Sequence, residues 1–100
     1  MTITTTQEGG KTTLAIEGRV DTNTSPALQE EILKAFQGTK VVILDFAKVA
    51  YISSAGLRAL LIGQKTAASK GATMELIHVS AEVLSILKMV GFVDILTIRP

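Results

Sequence analysis

One hundred residues with a hydrophobic fraction of 47%, 19% charged residues and a net charge of +1 fit one globular domain folding in water, and no apolar run approaches the roughly 18 residues of a membrane span. The ten basic and nine acidic side chains are scattered, which leaves no electrostatic footprint for nucleic acid or anionic lipid. Cysteine is absent, which excludes disulfides and thiolate metal sites, and the opening M-T-I-T-T-T lacks a basic segment followed by an apolar one, so a cytoplasmic address is expected.

Residues 2–7 alternate Ile3 with threonines, and residues 11–18 set Leu14 and Ile16 on one face, so both read as strands. Gly9 and Gly10 between them supply the positive φ angles of a tight hairpin, and the polar first strand suits an N-terminal sheet edge. The loop from Arg19 to Thr24 follows, centred on Asp21, with hydroxyls or amides at Thr22, Asn23 and Thr24. Such a cluster forms either a surface site or a set of turn hydrogen bonds. Ser25 then Pro26 read as an N-cap and a first helical residue, predicting a helix over 26–36 that buries Leu28, Ile32, Ala35 and Phe36, with Gly38 ending it. Residues 40–46 contain V-V-I-L without interruption, the pattern of a central strand covered on both faces by helices.

The segment V-A-Y-I-S-S-A-G-L-R-A-L-L from Val49 carries the chain from loop into a second helix, predicted over 54–70 with Ser54 as its N-cap. Gly56 in the first turn weakens that helix, which implies that backbone or a partner comes close there. A hydroxyl at this place is a cap, or a group on which helix amides could tolerate a phosphoryl group; local chemistry leaves both open. Gly71 after Lys70 closes the helix, residues 73–79 make the next strand of a right-handed βαβ crossover, and Ser80 caps a helix over 80–90 that points Val83, Leu84, Leu87 and Val90 inward. Gly91 ends it, and residues 92–98 read as the last strand. The expected architecture is an α/β domain over residues 1–100 with a mixed, largely parallel sheet, and a core that includes Ile43, Leu44, Leu60, Leu61, Leu76 and Leu87.

Enzyme chemistry finds little support. His78, the one histidine, lies in a predicted strand with no nucleophile at a recognisable spacing. Asp21, Asp45 and Asp94 each follow or sit within a strand, and they make a carboxylate pair or a metal site only where the fold brings them together. G-T-K at Gly38 and G-Q-K at Gly63 both lack the rest of a P-loop. A chain that is not an enzyme and holds no cofactor or metal is expected.

G-R-V-D at Gly18, the helix with P-A-L, V-V-I-L-D-F-A-K-V at Val41, Y-I-S-S-A-G-L-R at Tyr51 and V-L-S-I-L-K-M-V-G-F at Val83 resemble, in order and spacing, bacterial anti-sigma factor antagonists built on the STAS domain. The resemblance spans practically the whole chain. It implies helices packed mainly on one face of the sheet. It also implies that an anti-sigma factor serine kinase phosphorylates Ser54, with Ser53 a rival acceptor standing where the family's antagonists carry aspartate. The unphosphorylated form would hold the kinase and free sigma, and phosphorylation would release it, regulating sigma-dependent transcription. Asp21 matches a loop aspartate near the partner surface and Asp45 one ending the central strand. The implied partner face comprises Asp21, Thr22, Asn23, Ser53, Ser54, Ala55, Gly56, Leu57 and Arg58, on a monomer or weak dimer. The other function open to the fold is a non-switching STAS adaptor in a transporter, lipid-trafficking or stress-signalling assembly.

Overall fold

Gly9 and Gly10 take φ of +58° and +78° and reverse the chain between β1 (Thr2–Glu8) and β2 (Lys11–Glu17). Positive φ at both central residues lets a two-residue turn follow the strand twist. The computed structural model describes residues 1–99. It continues through α1 (Ser25–Phe36), β3 (Val41–Lys48), α2 (Ser54–Lys70), β4 (Thr73–Ile77), α3 (Ala81–Met89), a short 3-10 helix at Phe92–Asp94, and β5 (Thr97–Ile98). The sheet runs in the order β1-β2-β3-β4-β5, with only the first pair antiparallel. This is the expected α/β architecture: a mixed, largely parallel sheet with an N-terminal edge strand.

Register decides which face the helices cover. Leu14, Leu44 and Leu76 are aligned across β2, β3 and β4, and Thr12, Val42 and Met74 form the neighbouring row. Residues in one row share a face because side chains alternate along a strand. All six are buried, and their apolar members join one cluster with Leu28, Ile32 and Phe36 of α1, Leu60 and Ala67 of α2, and Val83 and Leu87 of α3. The three helices therefore pack on one face. Thr12 is the polar member of that layer, and its hydroxyl meets Thr39 Oγ1 at 2.9 Å, so burial leaves it satisfied. Gly63 permits α2 to pass close over its neighbours: a Cβ there would stand 2.8 Å from Met74 Sδ and 2.9 Å from Ile32 Cγ2.

Several expectations are corrected. β3 is not covered on both sides: Val42, Leu44 and Phe46 are buried while Val41, Ile43 and Asp45 are half-buried on the open face. Ile43 thus lies outside the core. Leu61 is half-buried too, because it stands one helical step from the buried Leu60. β4 stops at Ile77, where His78 turns at φ +55°, and Val90 is 45% exposed as the C-cap of α3. The last strand is only two residues long. Gly91 at φ +79° starts the 3-10 helix, whose turn draws the Ile95 and Leu96 amides onto the Phe92 carbonyl at 3.0 and 2.8 Å, away from β4.

Leu60 is fully buried at the centre of α2's inner face. Leu60→Ala is expected to lower unfolding free energy by about 2–5 kcal/mol in urea denaturation, through lost transfer energy and the cavity left behind.

Candidate functional site

The loops that follow β2 and β3 are joined by one buried aliphatic residue from each. Val20, between β2 and α1, forms a parallel bridge with Ile52, between β3 and α2. The Val20 amide donates to the Tyr51 carbonyl at 3.1 Å and the Ser53 amide donates to the Val20 carbonyl at 2.8 Å. Both side chains are buried, at 0% and 3% exposure. The Asp21 loop and the start of α2 thereby become one continuous surface at the carboxyl ends of β2 and β3, the edge where open α/β sheets place their ligand sites.

Gly56 makes that junction possible. A Cβ added to it would lie 2.6 Å from Ile52 Cγ1 and 2.8 Å from Val20 Cγ1. The close neighbour implied by this glycine is thus the protein's own bridge, and Gly56 is buried rather than part of a partner-facing surface.

Asp21 holds the first loop. Its Oδ1 accepts the amides of Asn23 at 2.9 Å and Thr24 at 3.0 Å, while its own amide donates to Thr24 Oγ1 at 2.8 Å. The Thr24 hydroxyl proton lies between the Arg19 carbonyl, at 2.9 Å, and Asp21 Oδ1, at 3.1 Å. The Thr24 amide, chiefly, holds the Asp21 carboxyl below the usual carboxylate range; partial desolvation opposes it, and the Thr24 hydroxyl, the Asn23 amide and the Arg19 guanidinium add to it. Helix α1 begins at Ser25 with Thr24 in the cap position, so the expected Ser25 cap is corrected: the Ser25 amide donates to the Asp21 carbonyl at 2.8 Å, and the loop organises the helix start. The Arg19 guanidinium lies 4.2 Å from the centroid of the Tyr51 ring and 3.9 Å, through Nε, from Asp21 Oδ2. Neither Arg19 nor Tyr51 was in the predicted face; their signal was an arginine and an aromatic flanking the two bridging residues.

The cap of α2 is Ser53 and not Ser54. Ser53 has extended backbone angles, φ −92° and ψ 175°, and its Oγ accepts the Gly56 amide at 3.3 Å. Ser54 is the first helical residue and is exposed. Of the other predicted face residues, Thr22, Asn23 and Arg58 are exposed, and Ala55, Leu57, Ser53 and Asp21 are half-buried. No acidic residue occupies the first turn of α2.

The remaining candidates lie on other elements. Asp45 lies on the open sheet face, inside β3 rather than at its end, and its Oδ1 meets His78 Nδ1 at 3.0 Å and the Ala47 amide at 3.0 Å. Asp94 is exposed in the 3-10 helix. Among the described residues no three His, Asp or Glu side chains are grouped as metal ligands, and no helix is long and apolar enough to cross a membrane.

A family model described as the STAS domain matches residues 2–100. Solved structures share the fold. A candidate anti-sigma factor antagonist from Thermotoga maritima superposes with a TM-score of 0.91 at 15% identity, covering 98% of this chain and 86% of that one. The anti-sigma factor antagonist SpoIIAA of Bacillus does so at 0.77 and 16% unphosphorylated, covering 99% and 88%. Its phosphorylated form gives 0.76 at 14%, covering 99% and 92%. A sulfate transporter family protein from Wolinella succinogenes gives 0.76 at 25%, covering 85% and 70%. No curated protein sequence matches the chain.

Gly56→Ala is expected to destabilise by about 1–3 kcal/mol in urea denaturation, because Val20, Ile52 or the helix must move to admit the methyl group. Asp21 should shape the acid limb of stability. With its folded pKa depressed, its ionised form stabilises the fold above the ordinary carboxylate range near pH 4, and that stability is lost as pH falls through the folded value. Asp21→Asn should lower the melting temperature at pH 7 and leave a shallower decline below pH 4.

Proposed function

Because this chain belongs to the STAS domain family, whose model it matches over residues 2–100, we propose that it is an anti-sigma factor antagonist, bound to an anti-sigma factor serine kinase when unphosphorylated and released by phosphorylation of Ser54. The observation that carries this reading is the exposed Ser54 at the first position of α2, beside a capping serine that is already engaged. Ser53 is the poorer acceptor, since its half-buried oxygen accepts the Gly56 amide. The kinase would transfer the γ-phosphoryl group of ATP to Ser54 Oγ, with loss of the hydroxyl proton and release of ADP.

The unmodified surface suits a closely packed partner. Ala55 and Leu57 offer small, half-buried apolar contacts, and Thr22, Asn23 and Arg58 supply a polar rim. A phosphate there adds about −1.5 to −2 charges at neutral pH. In the free protein it meets the positive end of α2 and water. Inside a tight complex it would have to be desolvated, so the complex weakens and the fold does not. The chain then works as a cytoplasmic binding module, monomeric or weakly dimeric, whose output is sigma-dependent transcription.

The adaptor reading draws on the likeness to the sulfate transporter family protein and on Ser53, which leaves the acceptor without a neighbouring aspartate.

Incubation with an anti-sigma factor kinase of the same organism and ATP, followed by peptide mass spectrometry, is expected to place one phosphate on Ser54. Ser54→Asp should keep the native circular dichroism spectrum and bind the kinase poorly; Ser54→Ala should bind, resist phosphorylation and keep its capping energy, since Ser53 is the cap. Phosphate on Ser53, or on neither serine, would retire the switch in favour of the adaptor.

A further inference from the structure

Between α3 and the short β5 lies a cavity of about 670 Å³ that the proposed antagonist surface does not use. Small-molecule sites occupy roughly 300–1,000 Å³ and are lined mainly by apolar side chains with a few polar groups. Here the walls are Val79, Leu84, Val93, Leu96 and Ile98. α3 contributes Leu84 and Lys88 to the lining, the 3-10 helix Val93, and β5 Thr97 and Ile98.

Charge selects among apolar occupants. Three basic residues line the cavity, His78, Lys88 and Arg99, and among the described residues no acidic one does. Two of them already have acidic partners: Arg99 Nε pairs with Glu75 Oε1, and His78 Nδ1 lies 3.0 Å from Asp45 Oδ1. Lys88, exposed on the last turn of α3, forms no ion pair among the described residues. An apolar body between the walls and one negative head at the rim would match both features.

We propose that this cavity binds an amphipathic monocarboxylate, with its alkyl or aryl body against Leu84, Val93 and Leu96 and its carboxylate on Lys88. An amine of the same shape would bring a like charge to a basic rim, and a neutral alcohol would forgo the charge-assisted hydrogen bond.

The test titrates the isotope-labelled full chain with sodium octanoate, octanol and octyltrimethylammonium, each below its aggregation concentration, and follows backbone amide shifts by NMR. Octanoate is expected to give saturable shifts at Val79, Leu84, Val93 and Leu96, octanol weaker ones and the ammonium none. Decanoate should bind about tenfold more tightly than octanoate, from two further buried methylenes. Lys88→Gln should weaken octanoate about threefold and leave octanol unchanged. No saturable octanoate shift at millimolar concentration, equal binding of the ammonium, or an unaltered octanoate affinity in Lys88→Gln would overturn the proposal. So would shifts of these residues with protein concentration alone, since Met89, Val90 and Ile95 are exposed beside them in sequence and a second copy would then be the occupant.

Discussion

The contact between Val20 and Ile52, roofed by a helix that must carry glycine at position 56, is the constraint on which the candidate surface depends. β2 and β3 are parallel neighbours, so their carboxyl ends deliver two loops to the same edge of the sheet. Loops so delivered would ordinarily move independently. One bridge with two backbone hydrogen bonds, closed over buried aliphatic side chains, makes them a single body. The first turn of α2 can settle on that body only without a side chain at Gly56. The glycine's cost in helix propensity is about 1 kcal/mol, and the packing it admits, two aliphatic side chains buried beneath a helix end, is of larger scale.

The sheet's two faces have separate consequences. The inner face is fixed by the aligned rows of Leu14, Leu44, Leu76 and of Thr12, Val42, Met74, a pattern in which a one-residue slip would expose every apolar member. The outer face carries half-buried Val41 and Ile43 beside Asp45, enough β propensity to keep the strand without a second helical layer. Because all three helices lie on one side, α2 is held from below by β4 and laterally by α1, and its N-terminus projects at the edge where the two loops meet. The serines are positioned by the core rather than by the loops alone.

Much of this was legible in the residues. Gly9-Gly10, the Leu14/Ile16 alternation, the αL cap at Gly71 and the Ser80 cap each have one local solution, and the protein adopts it. What escaped depended on partners distant in sequence or on competition between equal local signals. V-V-I-L has the same letters whether one face or two is covered, so Ile43 was misplaced. F-V-D-I-L-T-I reads as a strand until Gly91 starts a 3-10 turn that uses its amides locally. Ser53 and Ser54 are equally good caps by type; the backbone decides, because only Ser53 has the extended conformation that aims its oxygen into the helix. Gly56 announced a close neighbour without naming it. Its neighbour, Val20, comes from another loop, and no pattern within the second helix could reveal that.

The division of labour between the two serines bears on how a modification here could act. Were Ser54 the cap, a phosphoryl group on it would compete with the Gly56 amide for the same oxygen, and any change in binding would be mixed with a change in helix stability. With Ser53 as cap, the helix start is secured by one hydroxyl and the neighbouring hydroxyl is left in solvent. Charge added to that second oxygen faces an N-terminal turn without acidic residues, where the helix dipole offsets part of its repulsion and water solvates the rest. Its effect falls on whatever would cover the surface, since only a covered phosphate loses its hydration. Two adjacent residues of one type can thus carry separate functions, one structural and one accessible, because the backbone turns from extended to helical between them.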